Sequence, residues 1–390
     1  MSSGAILKHL EALVACDTQN PPRHISGDSD IFRYCENIVG PGFNFQTWDH
    51  GDGHVSWFAM RGQPEVLFNV HLDTVPCGDG WDSDPLTLSV RDGRAYGRGT
   101  CDIKGAAAVL LHLAEQGAEN LALLFTSDEE GAGGCCVEQF LTSGEAARFE
   151  RVIVAEPTGC KAVLGHRGFL SVKTRFSGEP GHSSEARALA DNANHQMVRW
   201  AAGALQVAES RKTSPADPGT CLNIGIVDGG TKSNVIAGSA FIHWSARLQP
   251  GCSNDEFLRD IQACADENAS VEWEVPFKGE PLPAGGQSDL AARGFCDGLG
   301  LEAGRAVDFW TEASLFSASG LPALVLGPGH IAQAHAANEW VELDQLERAL
   351  DLYGKVVKND GGNQEYRQPG IEPAGNQPRG TLLPEAIQRR

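Results

Sequence analysis

The sequence predicts a doubly wound α/β fold with a mostly parallel catalytic sheet, interrupted by a smaller inserted α+β domain. Three observations predict it. Short runs that are apolar at every position recur along the chain, and each stops abruptly at a polar cluster. Helical stretches lie between these runs, and from residue 165 to 281 the texture changes to alternating apolar and polar positions.

The N-terminal segment reads as an amphipathic helix with Leu7, Leu10, Leu13 and Val14 on one face. The apolar runs follow: residues 66–70 before His71-Leu72-Asp73, 121–125 before Thr126-Ser127-Asp128-Glu129-Glu130, 152–155 before Glu156-Pro157, and 323–326 before Gly327-Pro328-Gly329. Runs without alternation suit parallel strands buried on both faces. Between the first two, residues 104–116 form an Ala- and Leu-rich helix. Alternating strand and helix place the polar clusters at the carboxyl ends of the strands, where doubly wound sheets bind ligands. In the inserted segment, 169–176 and 241–248 read as strands of an antiparallel sheet, with helices at 192–209 and 255–267. A last helix covers 343–357. At 390 residues the chain exceeds an ordinary single domain. The expected division is a catalytic domain in two parts, 1–164 and 282–358, an inserted domain at 165–281, and a disordered Gly-, Pro- and Gln-rich tail at 359–390.

With 41% hydrophobic and 21% charged residues, the composition is that of an ordinary globular protein. The 31 Lys plus Arg against 51 Asp plus Glu give a formal net charge of -20, which repels nucleic acid and anionic membrane surfaces. A small carboxylate ligand would need a local cationic anchor, for which Arg247 and Lys232 are candidates. No signal-peptide pattern and no membrane-spanning apolar run is visible, and the eleven cysteines form no CxxC pair. The expected compartment is the cytoplasm, with the thiols reduced.

Taken singly, the polar residues say little, since a lone histidine is more often structural. Their convergence carries the weight. Separate strand ends deliver His71, Glu130, Glu156 and, after a short loop, His335, and Asp102 opens the 104–116 helix after a Gly97-Arg98-Gly99 turn. Two imidazoles and three carboxylates suit a pair of zinc or cobalt ions. Two neighbouring cations need an anionic bridge, and Asp102 is assigned to it. That leaves His71 and Glu156 for one ion and Glu130 and His335 for the other. Asp73 is placed to orient the His71 ring, or else to cap a turn. Glu129 faces the attacking water as general base, unless the Glu129-Glu130 pair is simply solvated.

In this order the motifs resemble those of the dinuclear metallohydrolases that include acetylornithine deacetylase, succinyl-diaminopimelate desuccinylase, aminoacylase and related carboxypeptidases. They read His71-x-Asp73-Thr74-Val75-Pro76, Gly97-x-Gly99-x-x-Asp102-x-Lys104-Gly105, Asp128-Glu129-Glu130, Ala155-Glu156-Pro157-Thr158, Gly181-His182-Ser183-Ser184, Asn234, and Gly327-x-Gly329 with His335. The resemblance implies the same metal and base roles and a homodimer formed through the inserted domain. It also implies that His182 stabilises an oxyanion, often in the neighbouring subunit's site, and that Asn234 and Arg247 bind the substrate α-carboxylate. Thr311-Glu312-Ala313 and the stretch from Leu326 to His335 are most similar to the acetylornithine and acetylcitrulline deacetylase branch. That branch implies hydrolysis of an N-acetyl-L-amino acid in arginine biosynthesis, with Glu312 accepting hydrogen bonds from the substrate side chain. A carboxypeptidase or dipeptidase of the same family is the alternative within it. A non-catalytic metal-binding regulatory protein is the alternative outside it.

Overall fold

The computed structural model describes residues 2–131, 135–212, 219–284 and 289–359. The tail expected to be disordered lies, from residue 360 on, outside the described residues. Helices α1 (Ser2–Ala15) and α2 (Asp30–Val39) precede strands β1 (Asn44–Asp49), β2 (Val55–Arg61) and β3 (Val66–His71). A short pair, β4 (Ser89–Arg91) and β5 (Arg94–Tyr96), leads to α3 (Lys104–Glu115), β6 (Leu121–Thr126), α4 (Cys135–Thr142) and β7 (Arg151–Val154). Then come β8 (Gly168–Ser177), α5 (Ala193–Ser210), β9 (Cys221–Gly229), β10 (Ser239–Leu248), α6 (Asn254–Gln262) and β11 (Ser270–Gly279). The chain ends through α7 (Leu290–Leu299), α8 (Ala313–Ala318), β12 (Ala323–Val325), β13 (Trp340–Glu342) and α9 (Leu343–Asn359).

Six strands form the main sheet in the order β1-β2-β6-β3-β7-β12. The strands β6, β3, β7 and β12 are mutually parallel, whereas β1 and β2 add antiparallel at one edge. The mostly parallel sheet is therefore present. From β3 the chain crosses to β6 on one side and then to β7 on the other, so the connections diverge at the carboxyl end of β3. That divergence opens a crevice between loops.

Both faces of the sheet are covered, which is why β3 and β6 are buried at every residue. Phe68, Val70, Leu123 and Phe125 face α1, α3 and α9 in one core. Leu67, Ala122, Leu124 and Val152 face the other core with Phe140 and Phe316. In α9, Leu346, Ala349, Tyr353 and Val356 recur at helical spacing and are buried. Tyr353 packs edge-on to Phe68 with ring centroids 5.1 Å apart, and its hydroxyl donates to Leu326 O at 2.7 Å.

Residues 168–279 contribute a separate antiparallel sheet, ordered β11-β8-β10-β9. The alternation in β8 and β10 has the expected cause: one face packs Val172, Ile242 and Trp244 against Trp200 of α5 and Phe257 of α6. Helix α6 ends at Gln262, short of the expected 267, although Ser253 caps its first turn by accepting from Glu256 N. Strand β1, whose residues are mostly exposed, lacks an apolar face that periodicity would reveal.

Phe68 is fully enclosed, so Phe68→Ala should cost about 3–5 kcal/mol by loss of transfer energy and an unfilled cavity. Urea denaturation should show a lower midpoint at unchanged m-value.

Candidate metal centre

Parallel strands deliver the candidate ligands to the crevice. His71 is the last residue of β3, Glu129 and Glu130 follow β6, Glu156 follows β7, and His335 lies beyond β12. Asp102 comes from the turn before α3. The turn is tight: a Cβ on Gly105 would stand 2.4 Å from Thr100 O, so no larger residue fits there. Gly327 is constrained likewise, since its Cβ would lie 2.7 Å from Glu156 O.

The side chains meet around Asp102. His71 Nε2 lies 3.1 Å from Asp102 Oδ1 and 3.4 Å from Glu156 Oε1. His335 Nε2 lies 3.2 Å from Asp102 Oδ2 and 3.1 Å from Glu130 Oε1. Each Asp102 oxygen thus serves one imidazole, the arrangement expected of a bridging carboxylate. His335 adopts a left-handed backbone, φ 61°, at a cost of about 1–3 kcal/mol.

Electrostatics show a deficit of positive charge. Although burial would lower it, Glu156, Asp102 and Asp73 hold the His71 imidazole well above its ordinary pKa. Hydrogen bonds to the Asp102 and Glu130 carboxylates raise His335 to about 10. Burial, with repulsion from neighbouring carboxylates, pushes Glu129 and Glu156 well above the usual carboxylate range. A pair of divalent cations would supply the missing charge, and the donor set of two imidazoles and three carboxylates fits them. Among the described residues, donor atoms of His71, Asp102 and Glu130 lie within 4.8 Å of one another.

Asp73 does more than orient His71. The ring's Nδ1 lies 3.0 Å from the Asp73 backbone oxygen and 3.5 Å from its carboxylate. That carboxylate accepts from Glu129 N, Glu130 N and the Asn20 side chain, at 3.3, 3.0 and 2.8 Å. It therefore ties the loop after β3 to the loop after β6. Asp128 holds the latter loop from the other side, accepting from Cys136 N at 3.0 Å and lying 2.8 Å from His54 Nδ1.

The expected substrate residues fall differently. Arg247, on β10, stacks its guanidinium 3.8 Å over Phe169; burial lowers its pKa while the charge of Glu129 acts to raise it. His182 and Asn234 are exposed and sit side by side in the inserted segment, where Ser183 N donates to Asn234 O at 3.2 Å. His182 Nδ1 lies 2.8 Å from Ser184 Oγ, and none of its hydrogen bonds reaches the metal cluster within the described chain. Glu312 departs from expectation. It is completely buried, accepting from Asn69 Nδ2 at 3.1 Å and Thr126 Oγ1 at 3.2 Å. Burial raises its pKa to about 8, and the side chain faces β3 and β6 inside the core, where no opening to a substrate is seen among the described residues.

Sequence reasoning missed Glu339. This buried carboxylate accepts from the Arg98 side chain at 2.7 Å and from the backbone N–H groups of Gly99, Cys101 and Asp102 at 3.0, 2.8 and 3.0 Å. Arg98 also donates to Pro76 O and Cys77 O. The pair therefore fastens the loops that carry His71, Asp102 and His335. A Glu four residues after His335 and an Arg within the Gly-rich turn were the visible signals.

The chain belongs to Peptidase family M20/M25/M40, whose model matches residues 67–359. Within that class it is similar to the N-acetyl-L-citrulline deacetylase of Xanthomonas campestris pv. campestris, 46% identical over 358 residues, 90% of this chain and 97% of that protein. It is also similar to the acetylornithine deacetylase of Proteus mirabilis, 30% identical across 75% of this chain and 79% of that one. Among solved structures, an aminopeptidase from Bacillus cereus superposes with TM-score 0.69 at 18% identity, covering 91% of this chain and 98% of its own. An M20 family metallo-carboxypeptidase from Sulfolobus solfataricus gives 0.67 at 17%, covering 90% and 98%. These two show a shared fold.

Glu339→Gln sets an amide N–H against the donors of Arg98 and Gly99. It should lower stability by about 3–5 kcal/mol, as for a broken buried ion pair, and weaken metal affinity roughly 10–100-fold. Urea denaturation and zinc competition with a chelator measure the two effects separately.

Proposed function

We propose that the chain hydrolyses the acetyl amide of an N-acetyl-L-amino acid, with N-acetyl-L-citrulline preferred over N-acetyl-L-ornithine, releasing acetate and the free amino acid in arginine biosynthesis. The observation that carries the reading is the shared Asp102 between His71 and His335, with Glu129 beside them. The 46% identity to an N-acetyl-L-citrulline deacetylase supports the substrate.

His71, Glu156 and Asp102 would hold one divalent ion and Asp102, Glu130 and His335 a second, zinc or cobalt in each case. Bound there, the ions supply Lewis acidity at the acetyl carbonyl and make the attacking water more acidic. Glu129 takes the proton from that water and gives it to the leaving amine. Arg247 meets the substrate α-carboxylate as the local cation that offsets the chain's negative field, and Asn234 assists.

His182 acts on the oxyanion in the partner subunit's site, in a homodimer formed by the lid domain at residues 165–281. Exposed apolar side chains there support the dimer: Leu189, Val198, Ile226 and Val227 are 66%, 62%, 53% and 57% exposed. We place the enzyme in the cytoplasm. Among the described residues no helix is long and apolar enough to cross a membrane, and all eleven cysteines are free thiols.

Glu129→Gln should retain its metals yet lose about 10²–10⁴-fold in kcat on N-acetyl-L-citrulline. Assayed side by side, N-acetyl-L-citrulline should outrun N-acetyl-L-ornithine and a dipeptide panel. Fastest turnover of a dipeptide would replace this reading with a dipeptidase, and full activity in the variant would remove Glu129 from the base role.

A further inference from the structure

A second cluster of metal-ligating side chains lies on the α1–α3 side of the catalytic unit. His9 comes from α1, and His112 and Glu115 come from α3, three residues apart and so on one helical face. Both histidines are buried, 1% and 5% exposed, whereas the Glu115 side chain is 43% exposed. His9 Nε2 lies 3.3 Å and His112 Nδ1 lies 3.8 Å from the same oxygen, Glu115 Oε2. The three donor atoms all fall within 4.8 Å of one another.

Two features point to a ligand. His112 Nδ1 is buried without any hydrogen-bond partner, an omission that costs about 1–3 kcal/mol unless something fills it. The ring is nevertheless aimed into the cluster. The second feature is the orientation of His9, whose other nitrogen, Nδ1, lies 2.8 Å from the Tyr34 hydroxyl on α2. That contact holds the ring with Nε2 turned towards Glu115 Oε2, as a supporting hydrogen bond orients a metal-bound histidine. Ligand atoms about 2.0–2.1 Å from a tetrahedral ion stand roughly 3.3 Å apart, the His9–Glu115 distance here, and His112 at 3.8 Å would close by about half an ångström.

We propose that His9, His112 and Glu115 form a further divalent transition-metal site, with zinc the best match to two imidazoles and one carboxylate. Its fourth position opens to solvent beside Glu115. Since His112 is eight residues along α3 from Lys104, the site stands about 12 Å along the helix from the Asp102 turn. It clasps α1 to α3 and takes no part in hydrolysis.

The test compares zinc retained by the full-length wild type and by His112→Gln after dialysis against a chelator of micromolar affinity. The expected result is one equivalent fewer per chain in the variant, with kcat on the acetylated substrate unchanged. Glu115→Gln, altered at an exposed position, serves if His112→Gln folds poorly, and should show the same deficit. Equal zinc retention in wild type and variant would overturn the site. Because the readout is a difference between chains, it stands whether or not the proposed activity does.

Discussion

Concentrated negative charge in a buried crevice is the constraint on which the rest of the structure depends. Asp102, Glu129, Glu130 and Glu156 converge there, and among the described residues the imidazoles of His71 and His335 touch Asp102, Glu130 and Glu156. At an effective dielectric near 20, each pair of like charges 4 Å apart costs roughly 4 kcal/mol. Two of the nearby basic groups are committed elsewhere: Arg98 pairs with Glu339, and Lys104 donates to Cys16 O. Protons on two imidazoles relieve part of the repulsion. Divalent cations bound there would relieve more of it.

The scaffold meets this constraint by holding each loop from more than one side. Parallel strands bring their carboxyl ends to one edge, and the divergence at β3 opens space between them. Asp73 then joins the β3 and β6 loops, while Glu339 and Arg98 join the turn before α3 to the loop after β12. These acids position ligands through backbone N–H groups. Their substitution should therefore loosen the site without removing a single ligand atom.

Much of the sheet and most of the cluster were legible because their signals are local. A strand buried on both faces reads as an apolar run, so β3, β6, β7 and β12 stand out with the polar residues that end them. Strands β1 and β2 were harder to see, one exposed and the other joined antiparallel at the edge. Glu339 was missed because its sequence signals are faint and its role lies in long-range contacts to residues 98–102. Asn69 and Thr126 carried a weak hint about Glu312: each is polar within an otherwise apolar strand, and the buried acid is the reason. His182 lies outside the cluster within the described chain, as the proposed role in a partner subunit's site would require.

The central proposal is that Asp102 would be shared by two metal ions. Anomalous diffraction from crystals grown with zinc tests it most directly. Two peaks should flank the Asp102 carboxylate, one within bonding distance of His71 and Glu156 and the other of Glu130 and His335. A single peak, or peaks that leave Asp102 unbound, would contradict the account.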